Sequence, residues 1–138
     1  MTTFQYQEIT KKVIGAAIKV HTSLGNGFQE VIYQRALEIE LKKVGLNFIR
    51  EFSMHIFYDG QIIGWRRVDF FVEDVISVEL KARAVVEPGH FNQARNYLEV
   101  HNIEVGLLLN FGGVSLEFKR IENPKFIPKQ HPSNLINP

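Results

Sequence analysis

The sequence predicts an α/β domain, and three observations carry the prediction. Apolar residues recur at three- and four-residue spacing over residues 5–24 and again over 28–44, which is the stripe of an amphipathic helix. Between residues 47 and 81 the pattern changes to β-prone runs rich in Val, Ile and Phe, separated by tight-turn signals. A near-continuous apolar run at residues 104–110 then reads as a strand buried on both faces.

Each element follows in order. In the first helix Ile9, Val13, Ala16, Ala17, Val20 and Leu24 form the stripe, and Gly25 stops it. Lys11, Lys12 and Lys19 read as its solvated face and His21 as a packed or capping histidine. In the second helix Val31, Ala36, Leu37, Leu41 and Val44 are the apolar set, Gly45 is the stop, and Glu30 falls in the first turn, where exposed N–H groups favour a carboxylate. Tyr33 reads as a core aromatic.

Residues 47–58 and 61–72 are two strands joined at Asp59-Gly60, a strong turn signal. Arg66 and Arg67 suit phosphate oxygens as guanidinium forks, although adjacent strand arginines are more often simply one packed and one exposed residue. Pro88-Gly89 breaks the pattern. Residues 90–101 then read as a short helix carrying Gln93 and Tyr97 one turn apart on one face. Gly112-Gly113 turns the buried strand into a last one at residues 114–121.

The second long strand leads into a hairpin over residues 68–81. Val68, Phe70, Phe71 and Val72 form one run, Val75, Ile76, Val78 and Leu80 the next, and Glu73-Asp74 lies between them. Strand alternation puts Glu79 and Lys81 on one face. A three-residue loop at 73–75 places Asp69 opposite Glu79, whereas a two-residue loop places it opposite Val78 and sends the carboxylates to opposite faces unless a bulge intervenes. Ser77, Glu79, Lys81 and Arg83 also fit the wet face of an antiparallel sheet.

With 138 residues, 45% of them hydrophobic, the chain suffices for one full core and is short for two. One domain over residues 1–122 is expected. Four of the five prolines fall in residues 123–138, which read as an extended or disordered tail. The absence of cysteine removes disulfides and thiolate metal sites and fits a reducing compartment. The first dozen residues lack a signal-peptide core, and no apolar run approaches a membrane span, so a soluble cytoplasmic protein is expected. The net charge of +1 does not announce a polyanion binder, so any such contact must be local.

GFQEVIY at residues 27–33 resembles the signature of the GxxExxY proteins, a branch of the PD-(D/E)XK nuclease superfamily. The flanking blocks fit in order: a histidine before Leu24-Gly25, an Asp leading by a hairpin into VELKA, a QxxxY helix, and GLLLNFG. The resemblance implies a restriction-endonuclease-like core with a mixed central sheet flanked by helices. Asp69 matches the Asp of the PD element, Glu79 and Lys81 the E-x-K, Glu30 the helical acid, and Gln93 and Tyr97 the QxxxY. Val68 stands where the name-giving proline would be.

The implied activity is phosphodiester hydrolysis, in DNA in the first instance, with Mg²⁺ or Mn²⁺. Asp69, Glu79 and the Leu80 carbonyl would hold the ion and Glu30 would hold it or its water, since hard oxygens suit such cations. Lys81 would orient the attacking water or meet developing charge. Gln93 would bond the nucleophile region or a phosphate, Tyr97 would stack on substrate, and Arg66 and Arg67 would contact phosphate. Small nucleases of this kind often pair as homodimers. The rival is a binding module for nucleic acid or protein that retains the fold without efficient catalysis.

Overall fold

The helical and strand patterns resolve into three helices and five strands in a computed structural model that describes residues 3–128. The order is α1 (Thr3–Leu24), α2 (Glu30–Lys43), β1 (Phe48–Tyr58), β2 (Gln61–Val72), β3 (Ile76–Lys81), α3 (Pro88–His101), β4 (Val105–Asn110) and β5 (Glu117–Glu122). The strands form one sheet in sequence order. All neighbours are antiparallel except β3 and β4, whose parallel pairing uses α3 as the crossover. The sheet is therefore mixed, and helices cover both of its faces.

On one face Val13, Ala16, Ala17 and Val20 of α1 and Tyr33, Leu37 and Leu41 of α2 pack on Phe70, Val72, Ile76, Val78, Leu80, Leu107 and Leu109. On the other, Leu98 of α3 packs with Leu108, Ile121, Phe71 and Met54. β4 contributes to both clusters, which is why its sequence lacks alternation. Val31 and Val44 differ from expectation in lying exposed, because α2 buries the face of Tyr33, Gln34, Leu37 and Leu41 instead. α3 begins at Pro88, where a missing N–H costs nothing in a first turn. β5 starts only at Glu117, with Val114 fully out in solvent.

The hairpin after β2 takes the three-residue loop. Val72 pairs with Ile76 and Phe70 with Val78, while Val75 N–H donates to the Val72 carbonyl at 3.0 Å. Glu73 and Asp74 both adopt positive φ, 52° and 57°, the geometry of a tight hairpin turn. The Glu73 carboxylate and N–H both bond Asn47, tying the turn to the start of β1.

Beyond Phe70 and Val78 the β2–β3 ladder stops, and β2 continues with β1 alone as a long two-stranded arm. Glu51, at φ 55°, and Asp69 fall between the pairs Arg50–Phe70 and Phe52–Val68 without pairing themselves. The strands switch faces there. Phe48 packs on Phe70 and Arg50 reaches α2, whereas Phe52 stacks on Phe71 and Met54 joins the α3 side.

Residues 123–128 form neither helix nor strand but fold back on α3. Buried Asn123 donates to the carbonyls of Leu98 and Ile103, both at 3.1 Å, and Ile127 exchanges two hydrogen bonds with the Asn102 side chain. The rest of the proline-rich tail, residues 129–138, lies outside the described residues. Among the described residues no helix is long and apolar enough to cross a membrane.

Candidate active site

Where β2 leaves β3, the backbone groups that a continuing ladder would have paired are open, and Asp69 fills the gap. Its Oδ2 accepts the Leu80 N–H at 2.7 Å and its Oδ1 accepts from Gln34 Nε2 at 2.9 Å. Gln34 in turn accepts from Arg50 at 2.7 Å, so a buried amide fixes the carboxylate from α2. The Lys81 carbonyl points to the β4 side, where it accepts from Phe111 N–H. By alternation the Leu80 carbonyl points into the fork beside Asp69.

Burial pushes the Asp69 carboxyl above the usual aspartate range, opposed by the Leu80 N–H, Gln34, Lys81 and Arg66. Glu30 opens α2 and keeps access to solvent, yet it belongs to the same electrostatic neighbourhood. Partial withdrawal from water and then the Asp69 charge raise its carboxyl, while Lys81 and Arg83 pull it back. Two acids and two bases thus share one field.

Glu79 and Lys81 face a cleft of about 210 Å³ under α3, lined also by Arg66, His90, Gln93 and Tyr97. Arg66 spans it: its guanidinium pairs with the Glu79 carboxylate and lies 3.9 Å over the Tyr97 ring. Arg67, its neighbour, points elsewhere and meets only Glu51 across the arm at 3.9 Å. The α3 cleft therefore gathers Arg66, Glu79, Lys81, Gln93 and Tyr97, the fork holds Asp69 with Glu30 in its field, and Arg67 belongs to neither. A larger groove of about 810 Å³ between β1, α3 and residues 126–128 contains none of them.

The motif tyrosine has a positioning role. Tyr33 is fully buried, stacks on Phe111 at 4.7 Å, donates to the Gly25 carbonyl at 2.6 Å and accepts from Phe28 N–H at 3.1 Å. It holds the turn that delivers Glu30. His21 is a packed histidine that donates from Nε2 to the Gly113 carbonyl at 3.0 Å.

Gln34 and Asn110 were not among the expected site residues. Asn110, buried at the end of β4, accepts from Arg83 N–H at 2.9 Å and donates to the Arg83 carbonyl at 2.8 Å and to Glu117 at 2.6 Å. It clamps the chain just after Lys81. A lone amide closing an apolar strand was the signal, as was Gln34 one helical turn beyond Glu30.

The donor set suits a hard divalent cation: carboxylate oxygens of Asp69, Glu79 and Glu30 with the Leu80 carbonyl, and no sulfur. Arg66 already pairs with Glu79 and is favoured by the Asp69 charge, so the two carboxylates attract positive charge there. Among the described residues no three acidic or imidazole side chains stand close enough to form a ready cage. The residues fit the ion chemically, and loading requires Glu79 to exchange Arg66 for it.

A mixed five-stranded sheet between helices, with acids and a lysine at the fork of its central strands, defines a restriction-endonuclease-like α/β protein. The chain belongs to the PD-(D/E)XK nuclease superfamily, whose sequence profile matches residues 7–121. The crystal structure of SSO0001 is similar, with a TM-score of 0.55 at 19% identity, covering 88% of this chain and 61% of that one. That likeness is one of fold, and this chain spans less than two thirds of that protein. None of the curated proteins matches the chain.

Proposed function

We propose that the protein is a GxxExxY-type nuclease that hydrolyses phosphodiester bonds in DNA with Mg²⁺ or Mn²⁺, in a reducing cytoplasmic setting. The observation that carries the reading is Asp69, held by the Leu80 N–H and Gln34 at the point where β2 leaves β3, with Lys81 and Glu30 in its field. A bound divalent ion would neutralise phosphate charge and make water nucleophilic. Asp69, Glu79 and the Leu80 carbonyl would hold it, with Glu30 ligating it or bonding its water.

This chain's own groups do the rest. Lys81 Nζ donates to the attacking water or to the phosphate oxygen that gains charge. Gln93 orients the water or a non-bridging oxygen from α3. Arg66, once released from Glu79, has Tyr97 to keep its guanidinium plane at the cleft, where it suits a phosphate. Tyr97 would meet a base or sugar only where the substrate displaces that guanidinium from its ring.

Incubation with single- and double-stranded DNA, with and without Mg²⁺ or Mn²⁺, tests the reading. Metal-dependent cleavage abolished by Asp69→Ala is expected. No cleavage of any substrate by folded protein would overturn it.

A second reading, a nucleic-acid or protein-binding module on the nuclease fold, is favoured by the Arg66–Glu79 pair, which neutralises a metal ligand from within. It expects nucleic-acid or protein binding that Asp69→Ala leaves unchanged. A homodimer would address both strands under either reading.

A further inference from the structure

Past the Glu51–Asp69 switch, the inner face of the β1–β2 arm is covered by α3, through Phe52 and Met54. Among the described residues nothing covers its outer face. Register places three rungs there: Ser53 opposite Arg67, His55 opposite Trp65, and Phe57 opposite Ile62. Directly opposed residues share a face, and the His55 and Phe57 rings stand 6.2 Å apart across the bulge between Ile56 and Phe57. Trp65 is 62% exposed, Phe57 59% and Ile62 57%. Aromatic rings that could have been buried are displayed together.

We propose that this outer face is a platform for unpaired nucleic acid, on which bases stack against Trp65 and Phe57 while Arg67 holds the intervening phosphate. The proposal rests on the nuclease reading for its direction, since Arg67 lies two residues, roughly 7 Å of strand, from Asp69. A strand laid on the outer face therefore leads to Asp69 at the fork, on the side of Gln34 and α2.

Charge selects this occupant over a purely apolar one. The Arg67 guanidinium stands at the base of the face, and among the described residues the acid paired with it is Glu51, 3.9 Å away and half in water. Exposed pairs of that kind are weak, and a phosphate readily displaces them. Interleaved aromatics and cations are what sequence-tolerant single-strand binding uses, because every base offers a π face. Paired bases hide those faces, so a duplex has nothing to stack.

Trp65 is the chain's sole tryptophan and reports directly on the arm. With EDTA present to suppress cleavage, oligothymidylate titrated into the full chain is expected to quench Trp65 fluorescence, whereas a blunt duplex of equal length leaves it unchanged. By anisotropy of the labelled strand, Trp65→Ala and Phe57→Ala each weaken binding about tenfold. Arg67→Ala weakens it less and lowers the salt dependence by about one ion.

Equal quenching by duplex overturns the proposal, as does none by either DNA. So does a Trp65 emission shift that tracks protein concentration and dimer formation, which would assign the face to a second copy. Metal-dependent cleavage without quenching refutes the platform alone. Quenching without cleavage in Mg²⁺ or Mn²⁺ refutes the nuclease reading and leaves the platform standing.

Discussion

The Arg66 guanidinium is paired with the Glu79 carboxylate inside the α3 cleft, with only 13% and 20% of the two side chains exposed. An acid so withdrawn from water needs a cation, and here one side chain supplies what the metal would otherwise supply. Arg66→Gln should therefore lower the stability of the metal-free protein by about 3 kcal/mol. Mn²⁺ should restore more stability to the variant than to the wild type, because the competitor for Glu79 is gone. Thermal unfolding with EDTA and with Mn²⁺ reads both effects, and equal metal-induced shifts in the two proteins would show that Arg66 and metal do not compete.

Gln34 fixes Asp69 without reaching the cleft itself, accepting from Arg50 while it donates to the carboxylate. Outer partners of this kind are worth about 10–100-fold in metal affinity. Gln34→Ala should weaken Mn²⁺ binding in calorimetry by that much with little loss of fold. Gln34→Glu should be worse, since it sets a second carboxylate against Asp69.

The helices, the strand order along the chain and the acids at the fork were legible because each has a local signal: the 3.6 and 2.0 periods, the Gly stops, and the odd parity that joins Glu79 to Lys81. Asp69 was legible only up to a choice between two loop lengths. That choice was made by two non-glycine residues at positive φ, Glu73 and Asp74, for which Asn47 supplies a tertiary anchor. Adjacent arginines could not be told apart, because their burial depends on where α3 lands, and α3 covers Arg66 and leaves Arg67 bare. The face switch at Glu51 had no local signal, since nothing in the type of residue 51 asks for positive φ.

His101 closes α3 beside Tyr97, their rings 6.4 Å apart, and its buried Nε2 has no partner among the described residues. Burial, and then the Arg66 charge, hold its pKa below the usual 6.5. The unfolded chain therefore binds a proton that the folded one refuses, and stability is complete above 6.5 and lost as pH falls through that value. Chemical denaturation between pH 7.5 and pH 5 should show the decline, and His101→Gln should flatten that part of it.

Gly112 follows Phe111 at the end of β4, where a Cβ would meet the Arg83 backbone at 2.4 Å. Backbone cannot step aside as a flexible side chain can, so Gly112→Ala must push the chain after Lys81 away from Asn110. A loss of about 1–3 kcal/mol in denaturant unfolding is expected. Gly15→Ala, which meets nothing within 4 Å in a helix, is the control and should be neutral or slightly stabilising.

Lys81 separates an enzyme from a binding module. It sits half-buried at the end of β3, lines the cleft with Glu79, and eases the ionisation of both Asp69 and Glu30. Lys81→Ala leaves every oxygen donor in place and removes the one ammonium at the proposed position of the water and the phosphate. Loss of such preorganised charge costs about 10²–10³ in rate, or roughly 3–4 kcal/mol. Single-turnover cleavage should fall by that factor while calorimetry still finds the metal bound. In a binding module the same change removes one phosphate contact among several, weakening affinity modestly and lowering the salt slope by about one ion. Unchanged cleavage with metal still bound would make Lys81 an ordinary strand lysine and leave the proposed water without its proton partner.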